Sequence, residues 1–325
     1  MDPTKSASFI PFYDMAVEAG QFLRGEDGEI PGVRETVVRD GFCEKTTITI
    51  LDQNGARALK RPPGRYVTID AKAPLDAEGA DRAVVRAVGE TIAAMLPKDP
   101  GASVLVCGVG NAKIASDALG STVTSKLIAT RSFLQNETEH KEKEDFTRSV
   151  ALFSPDVFGN TGIESAEMIH AAAKAIRPKA LIVIDALATA SFARLGTSIQ
   201  ITDTGLSPGG GIGNRRPAVN AGTVGVPVIA VGVPTVIYPQ SIVGDAFSRL
   251  KAEMAKQDKT AASLCWEAAE EKLYDLLRGE MELFAVTPKD IDVIVNTVAR
   301  LLAGGIETAL HEEITAENYR TYLIG

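Results

Sequence analysis

Histidine and cysteine are the scarce reactive residues of this chain, three of each in 325, and tryptophan occurs once. Cys43, Cys107 and Cys265 lie far apart and form no C-x-x-C. That excludes a disulfide framework or a cysteine zinc site and predicts a reducing compartment. His140, His170 and His311 form no H-E-x-x-H and no pair at helical spacing, so a histidine metal site would need remote single residues. His140 stands in a charged run and His311 near the C-terminus, and both read as solvated surface; His170 reads as a helix-face residue within 163–176. Acid–base chemistry therefore falls to carboxylates. Positive charge is short as well: 34 Lys and Arg face 42 Asp and Glu, a formal net charge of −8. This is the wrong sign for gripping phosphate backbones, so no direct nucleic-acid partner is expected. The apolar runs 180–184 and 226–233 are far shorter than the roughly 18 residues that span a bilayer. The start, MDPTKSASFIPFYD, carries Asp2, Pro3 and polar residues where a secretory signal needs a basic start and an apolar run. These absences predict a soluble cytoplasmic protein with no membrane partner.

What remains is an ordinary globular composition, 45% hydrophobic and 23% charged. Apolar spacing predicts helices over 13–23, 81–96, 116–129, 165–176, 242–256, 261–278 and 288–311. Beta-branched or continuous apolar runs predict strands over 46–51, 66–69, 103–106, 180–184, 198–202 and 227–231, with a turn at Asp52-Gln-Asn-Gly. The run ETEHKEKED marks 131–148 as an exposed charged excursion. Strands alternate with helices, and the strands are apolar on both faces. The expected fold is α/β, a mostly parallel sheet covered by helices on both faces. No repeat and no long linker divides the chain, so residues 15–325 are expected to form a single domain.

In open α/β sheets, ligands bind beyond the carboxyl ends of the strands. Asp185 directly follows the apolar run 180–184, and Asp117 lies one short loop after 103–106. A carboxylate at such a strand end is partly desolvated, which raises its pKa. Two carboxylates brought together can divide the acid and base roles and activate water against an amide. Each also has a plain structural reading, Asp117 as a helix N-cap and Asp185 as a partner for loop amides. Asp203-Thr-Gly has the D-T-G signature of pepsin-like proteases but occurs once here, in an α/β setting, where those enzymes need it twice. The glycine-rich loop 208–216 resembles an anion cradle, yet it matches neither a P-loop nor a G-x-G-x-x-G.

At these residues a resemblance emerges. Asp14-Met-Ala-Val-Glu-Ala, Pro63-Gly-Arg-Tyr-Val-Thr-Ile, Gly108-Val-Gly-Asn, Ser116-Asp-Ala-Leu-Gly, Ile184-Asp-Ala-Leu-Ala, TSIQITDTGLSPGGGIGN over 197–214 and Val286-Thr-Pro-Lys-Asp follow one another along nearly the whole chain. In this order they resemble the germination proteases of endospore-forming bacteria. The resemblance implies an atypical aspartic endopeptidase that degrades small acid-soluble spore proteins. It implies no cofactor, a homotetramer in the spore core, and a fold similar to hydrogenase-maturation endopeptidases. The family's two catalytic aspartates fall on Asp117 and Asp185. The resemblance further implies a zymogen whose propeptide, residues 1–14, is removed by self-cleavage between Asp14 and Met15. Pro11-Phe12-Tyr13 depart from the family's usual Arg-Thr before that Asp. Two other readings follow the residues rather than the resemblance's substrate: a metal-dependent maturation peptidase, for which His170 is the eligible ligand, and an anion or nucleotide binder using loop 208–216.

Overall fold

In a strand, successive side chains point to opposite faces, and this alternation places the site described below. The computed structural model describes residues 14–24, 28–75, 77, 79–135, 146–208, 217–257, 269, 272–273 and 284–324. Outside them lie residues 1–13 of the expected propeptide, most of the charged excursion, residues 209–216 of the glycine-rich loop, nearly all of the helix expected over 261–278, His140 and Cys265.

The chain begins with α1 (Ala16–Arg24), β1 (Val33–Arg39), β2 (Cys43–Ile50), α2 (Gln53–Leu59), β3 (Gly64–Ala71) and α3 (Ala80–Ala93). Next come β4 (Val104–Gly108), a 3-10 turn (Ala115–Asp117), α4 (Leu119–Thr124), α5 (Arg131–Gln135), β5 (Val150–Phe153), α6 (Phe158–Thr161) and α7 (Ser165–Ile176). The chain continues with β6 (Ala180–Thr189), β7 (Ser198–Thr202), α8 (Ala221–Val224), β8 (Val228–Ile237), α9 (Pro239–Gln257) and α10 (Ile291–Leu310). The described strands form one sheet in the order β1-β2-β3-β7-β8-β6-β4-β5.

The α/β class holds, with helices on both faces, but the sheet is mixed rather than mostly parallel. From β8 through β6 and β4 to β5 the neighbours are parallel. From β1 through β2, β3 and β7 to β8 they are antiparallel. Connection length accounts for the hairpin pair at the edge. Parallel neighbours need a helical crossover, whereas β1 and β2 are joined by a tight turn. In that turn Asp40 Oδ1 accepts from Phe42 N and Cys43 N, at 3.2 and 2.8 Å.

On one face, Ile182 and Ile184 of β6, Ile229, Val231 and Val233 of β8, and Ile199 and Ile201 of β7 pack into the main core under α3, α4 and α10. On the other face there are two smaller clusters. Leu181 and Val183 of β6 pack with Ile169 and Ala173 of α7. Ile48, Ile50 and Tyr66 pack with Met15, Ala16, Val17 and Ala19 near α1, and with Leu59 of α2. Between those clusters the second face stays open over β8 and β7.

Several expectations need correction. The supposed turn at Asp52 instead starts α2, where Asp52 Oδ1 caps Asn54 N and Gly55 N at 2.8 and 3.0 Å. The helix expected over 116–129 breaks into the 3-10 turn and the short α4. Its run of hydroxyl residues competes for backbone carbonyls: Ser121 and Thr122 both donate to Ala118 O, and Ser125 donates to Thr122 O. His311 is buried rather than solvated, at 1% exposure. Its Nδ1 accepts from Thr147 N at 3.0 Å, and the Phe146 ring stands edge-on at 5.1 Å between centroids. Burial, then the positive charge of Arg148, pushes its pKa down to about 4. Helix α10 is long and apolar enough to cross a membrane by composition, but it is mostly buried and forms the spine of the main core.

Candidate active site

Asp185 comes from β6, and the parity of that strand settles its direction. Ile182 and Ile184 face the main core, so Asp185 points to the opposite, open face with Leu181 and Val183. It does not end its strand, as the sequence suggested. β4 stops at Gly108, opposite Ile184, while β6 runs on beside β8 through Asp185 opposite Gly232 to Thr189 opposite Ile237. Asp185 is thus the first residue of β6 past the end of its β4 neighbour. Burial comes first and the negative charges of Asp117 and Asp14 follow in pushing its pKa up to about 8, against the Ala186 N–H that its Oδ1 accepts at 2.9 Å.

Asp117 arrives from the loop that follows β4. Val109 N donates to Ile184 O at 2.8 Å, and Thr235 Oγ1 of β8 donates to Ser116 O at 2.6 Å, so the 3-10 turn is tied to both neighbouring strands. Gly110 has φ +113°, and a Cβ there would lie 2.0 Å from Asp117 O; only glycine lets the loop double back this closely. The carboxylate caps no helix. Its Oδ2 accepts from Asn111 N at 2.8 Å, and Ala118 begins α4 without a side-chain cap. Burial raises its pKa, with a further rise from Asp156 and an opposing contribution from Asn111 N–H.

A third aspartate meets them. Asp14 and Met15 are the first described residues, and Met15 is fully buried. Asp14 N donates to Ala188 O at 3.0 Å, while Asp14 Oδ2 accepts from Ala188 N at 2.8 Å. Both bonds tie the segment to the part of β6 that runs on past the end of β4. Burial raises the Asp14 carboxyl, opposed by that Ala188 N–H and by the positive charge of Arg61. Beyond it, Glu18 Oε1 accepts from Thr189 Oγ1 at 2.5 Å and from Ala190 N at 3.2 Å, anchoring α1 to the end of β6. Asp14, Asp117 and Asp185 line one cavity of about 730 Å³ with Gln200, Gly232 and Tyr238. Ile114 and Phe158, each about half exposed, add apolar surface to its walls.

Gln200 was not singled out from the sequence. Its signal was there: an amide in the strand Ser-Ile-Gln-Ile-Thr, whose five residues are all buried. Gln200 Nε2 donates to the carbonyl oxygen of Asp14 at 3.2 Å, and its Oε1 accepts from Ala16 N at 2.6 Å.

The remaining candidates lie elsewhere. Asp203 braces a strand end: its Oδ1 accepts from Arg65 N at 2.8 Å and its Oδ2 pairs with Arg65 Nε at 2.9 Å, outside the cavity lining. His170 sits on α7, with Nε2 3.2 Å from Thr223 Oγ1, and does not line the cavity. Among the described residues no group of three His, Cys, Asp or Glu side chains is arranged to hold a metal ion. Of the glycine-rich loop, only Pro208 is described, and it lines the cavity. Cys43 and Cys107 are buried, and burial above all pushes their thiols up to about 11 and about 12, which leaves them inert.

Comparison with known proteins gives the family of the chain. A family model described as germination protease matches residues 13–272. A germination protease of Clostridium tetani is 35% identical over 320 residues, covering 95% of this chain and 98% of its own length. Those of Caldanaerobacter subterraneus and Bacillus cytotoxicus are 34% and 30% identical, over 95% and 99% of this chain and 97% and 99% of their own. Among solved structures, a [NiFe] hydrogenase maturation protease HycI from Thermococcus kodakarensis aligns with 67% of this chain and 99% of its own, at 13% identity and a TM-score of 0.34. At that score the α/β assignment rests on the strand order and not on the alignment.

Proposed function

Because the chain belongs to the germination protease family, and so is a protease acting on protein substrates, we propose that it hydrolyses peptide bonds with the aspartate pair Asp117 and Asp185, and that its own Asp14–Met15 bond is one substrate. The observation that carries this reading is convergence. Asp117 comes from the loop after β4 and Asp185 from within β6, and the backbone of Asp14 enters the same cavity from the N-terminal segment.

The different surroundings of the two carboxyls support separate roles for them. Asp185, pushed to about 8, holds its proton at neutral pH and is the acid. Asp117, where burial raises the pKa and the Asn111 N–H opposes that rise, is the base. Asp117 takes a proton from water as the water oxygen bonds to the carbonyl carbon of residue 14. The carbon–nitrogen bond then breaks as Asp185 gives its proton to the nitrogen of Met15. The products are a carboxyl group at Asp14 and a free amino group at Met15. The new carboxylic acid gives up its proton, Asp117 releases the one it took, and Asp185 is reprotonated from solvent.

On this reading the chain is a zymogen whose first 14 residues are a propeptide, and the mature enzyme degrades small acid-soluble spore proteins in the spore core as a homotetramer. The net charge of −8 suits it, since an acidic enzyme does not compete with DNA-coating proteins for the DNA. Asp117→Asn and Asp185→Asn, assayed on small acid-soluble spore proteins, test the pair. Both should lose activity while staying folded, and near-wild-type cleavage by either would remove the dyad. Size-exclusion chromatography with light scattering tests the tetramer; a monomer at working concentration rejects it.

A further inference from the structure

Three strands in register place one more group at the reacting bond. Gln200 of β7 pairs with Gly232 of β8, and Gly232 pairs in turn with Asp185 of β6. Residues paired across adjacent strands project from the same face, so Gln200 and Asp185 share the open face with a glycine between them. Gly232 brings no side chain, and a Cβ there would lie 2.5 Å from Leu187 Cγ. Leu187 fills the space above Gly232, and the Asp14 backbone is held by Gln200 Nε2 at its carbonyl and by Ala188 O of β6 at its N–H.

The Gln200 amide is fixed at both ends. Its Nε2 donates to Asp14 O at 3.2 Å and its Oε1 accepts from Ala16 N at 2.6 Å. Turning the amide over would set oxygen against oxygen and N–H against N–H, so the hydrogen-bond partners themselves fix the orientation. The side chain is buried and held within β7, and a donor held in advance costs no reorganisation when charge develops. Asp14 O is the carbonyl oxygen of the Asp14–Met15 bond, the atom that gains negative charge when water adds. At 3.2 Å the donor stands slightly long for a ground-state carbonyl, which leaves room to tighten on the oxyanion.

We propose that Gln200 is a further catalytic residue of this site: its Nε2 stabilises the oxyanion of the scissile carbonyl, and its Oε1 sets the register by holding the N–H two residues on. This rests on the reading that Asp14–Met15 is a cleaved bond. The Nε2 contact is to a backbone oxygen, so Gln200 can serve the carbonyl of a protein substrate of any side-chain sequence once the first 14 residues have gone, while Ala16, whose N–H its Oε1 holds, stays with the mature chain.

The test uses the full chain with Gln200→Ala and Gln200→Glu. Two readouts apply: appearance of a new N-terminus at Met15, and turnover of a synthetic peptide spanning residues 8–20. Gln200→Ala should lower kcat by about 10² to 10³-fold, the range for losing one oxyanion donor, with KM within a few-fold and thermal unfolding little changed. Gln200→Glu keeps the acceptor for the second N–H but sets a carboxylate against the oxyanion. It should lose at least as much kcat while holding KM closer to wild type. A folded Gln200→Ala with kcat within threefold of wild type, beside inactive Asp117→Asn and Asp185→Asn, overturns the Gln200 assignment alone. Active Asp variants beside a Gln200→Ala that has lost kcat reject the dyad and uphold Gln200.

Discussion

Among the described residues, two regions hold a carboxyl group that burial pushes far above its ordinary range: Asp185 at the cavity, to about 8, and Glu307 on α10, to about 7. At Glu307 the surroundings are closed. Its Oε1 accepts from Ile128 N at 2.8 Å, its Oε2 lies 3.4 Å from His311 Nε2, and both side chains are about 1% exposed. At Asp185 a second carboxyl, a peptide carbonyl and an amide donor share an open cavity of about 730 Å³. A raised pKa records desolvation in both places. Only the second has room for water and a bond for it to attack, so the cavity, not the shift, separates machinery from ballast.

The sharpest way to break the comparison is to neutralise each carboxyl. Asp185→Asn should lower cleavage of spore proteins by at least about 10³-fold, in the range seen when a central catalytic group is lost. Glu307→Gln should cleave at the wild-type rate per folded molecule. Equal losses in both would erase the distinction. Asp117→Asn belongs with Asp185→Asn.

Next in size is a pH effect. If Asp185 works as the acid, self-cleavage should fall about tenfold per pH unit above pH 8, because the rate follows the protonated fraction. The same limb should appear in Glu307→Gln. A rate flat from pH 7 to 10, followed by N-terminal release, would take the acid role away from Asp185.

A smaller effect concerns stability alone. Between about pH 4.5 and 7 native Glu307 keeps a proton that the unfolded chain has lost, so its contribution to stability falls as pH rises. Native His311 refuses a proton that the unfolded chain binds between about pH 4 and 6.5, so its contribution rises with pH. In the wild type the two slopes oppose each other. Glu307→Gln removes the first and should make stability climb more steeply from pH 4.5 to 6.5, by on the order of 1–3 kcal/mol across the window. Melting temperatures of the two proteins measured across that range check it, and parallel curves would reject it.

Asp203→Asn should matter least. It loosens a partly exposed brace to Arg65, worth roughly 0–1 kcal/mol, and leaves cleavage unchanged. A loss of activity there would revive the D-T-G signature as chemistry.

Much of the site was legible because strand ends leave local marks. The apolar runs before Asp117 and Asp185 pointed to both carboxylates, and 198–202 and 165–176 match β7 and α7 in full. What was not legible depends on partners distant in sequence. β6 continues to Thr189 because β8 keeps pairing with it, and nothing within 180–189 announces that. The half-polar β1 becomes a strand through the register it shares with β2. His311 looked exposed because it sits near the chain end, but the segment 146–148 folds over it. Gln200 gains its meaning from a contact with residue 14, 186 positions away.

The most direct measurement holds the wild-type chain and Asp185→Asn side by side at mildly acidic pH and sequences their N-termini over time. The wild type should acquire a new start at Met15 and the variant none. A wild-type chain that never starts at Met15, or a variant processed at the wild-type rate, would contradict it.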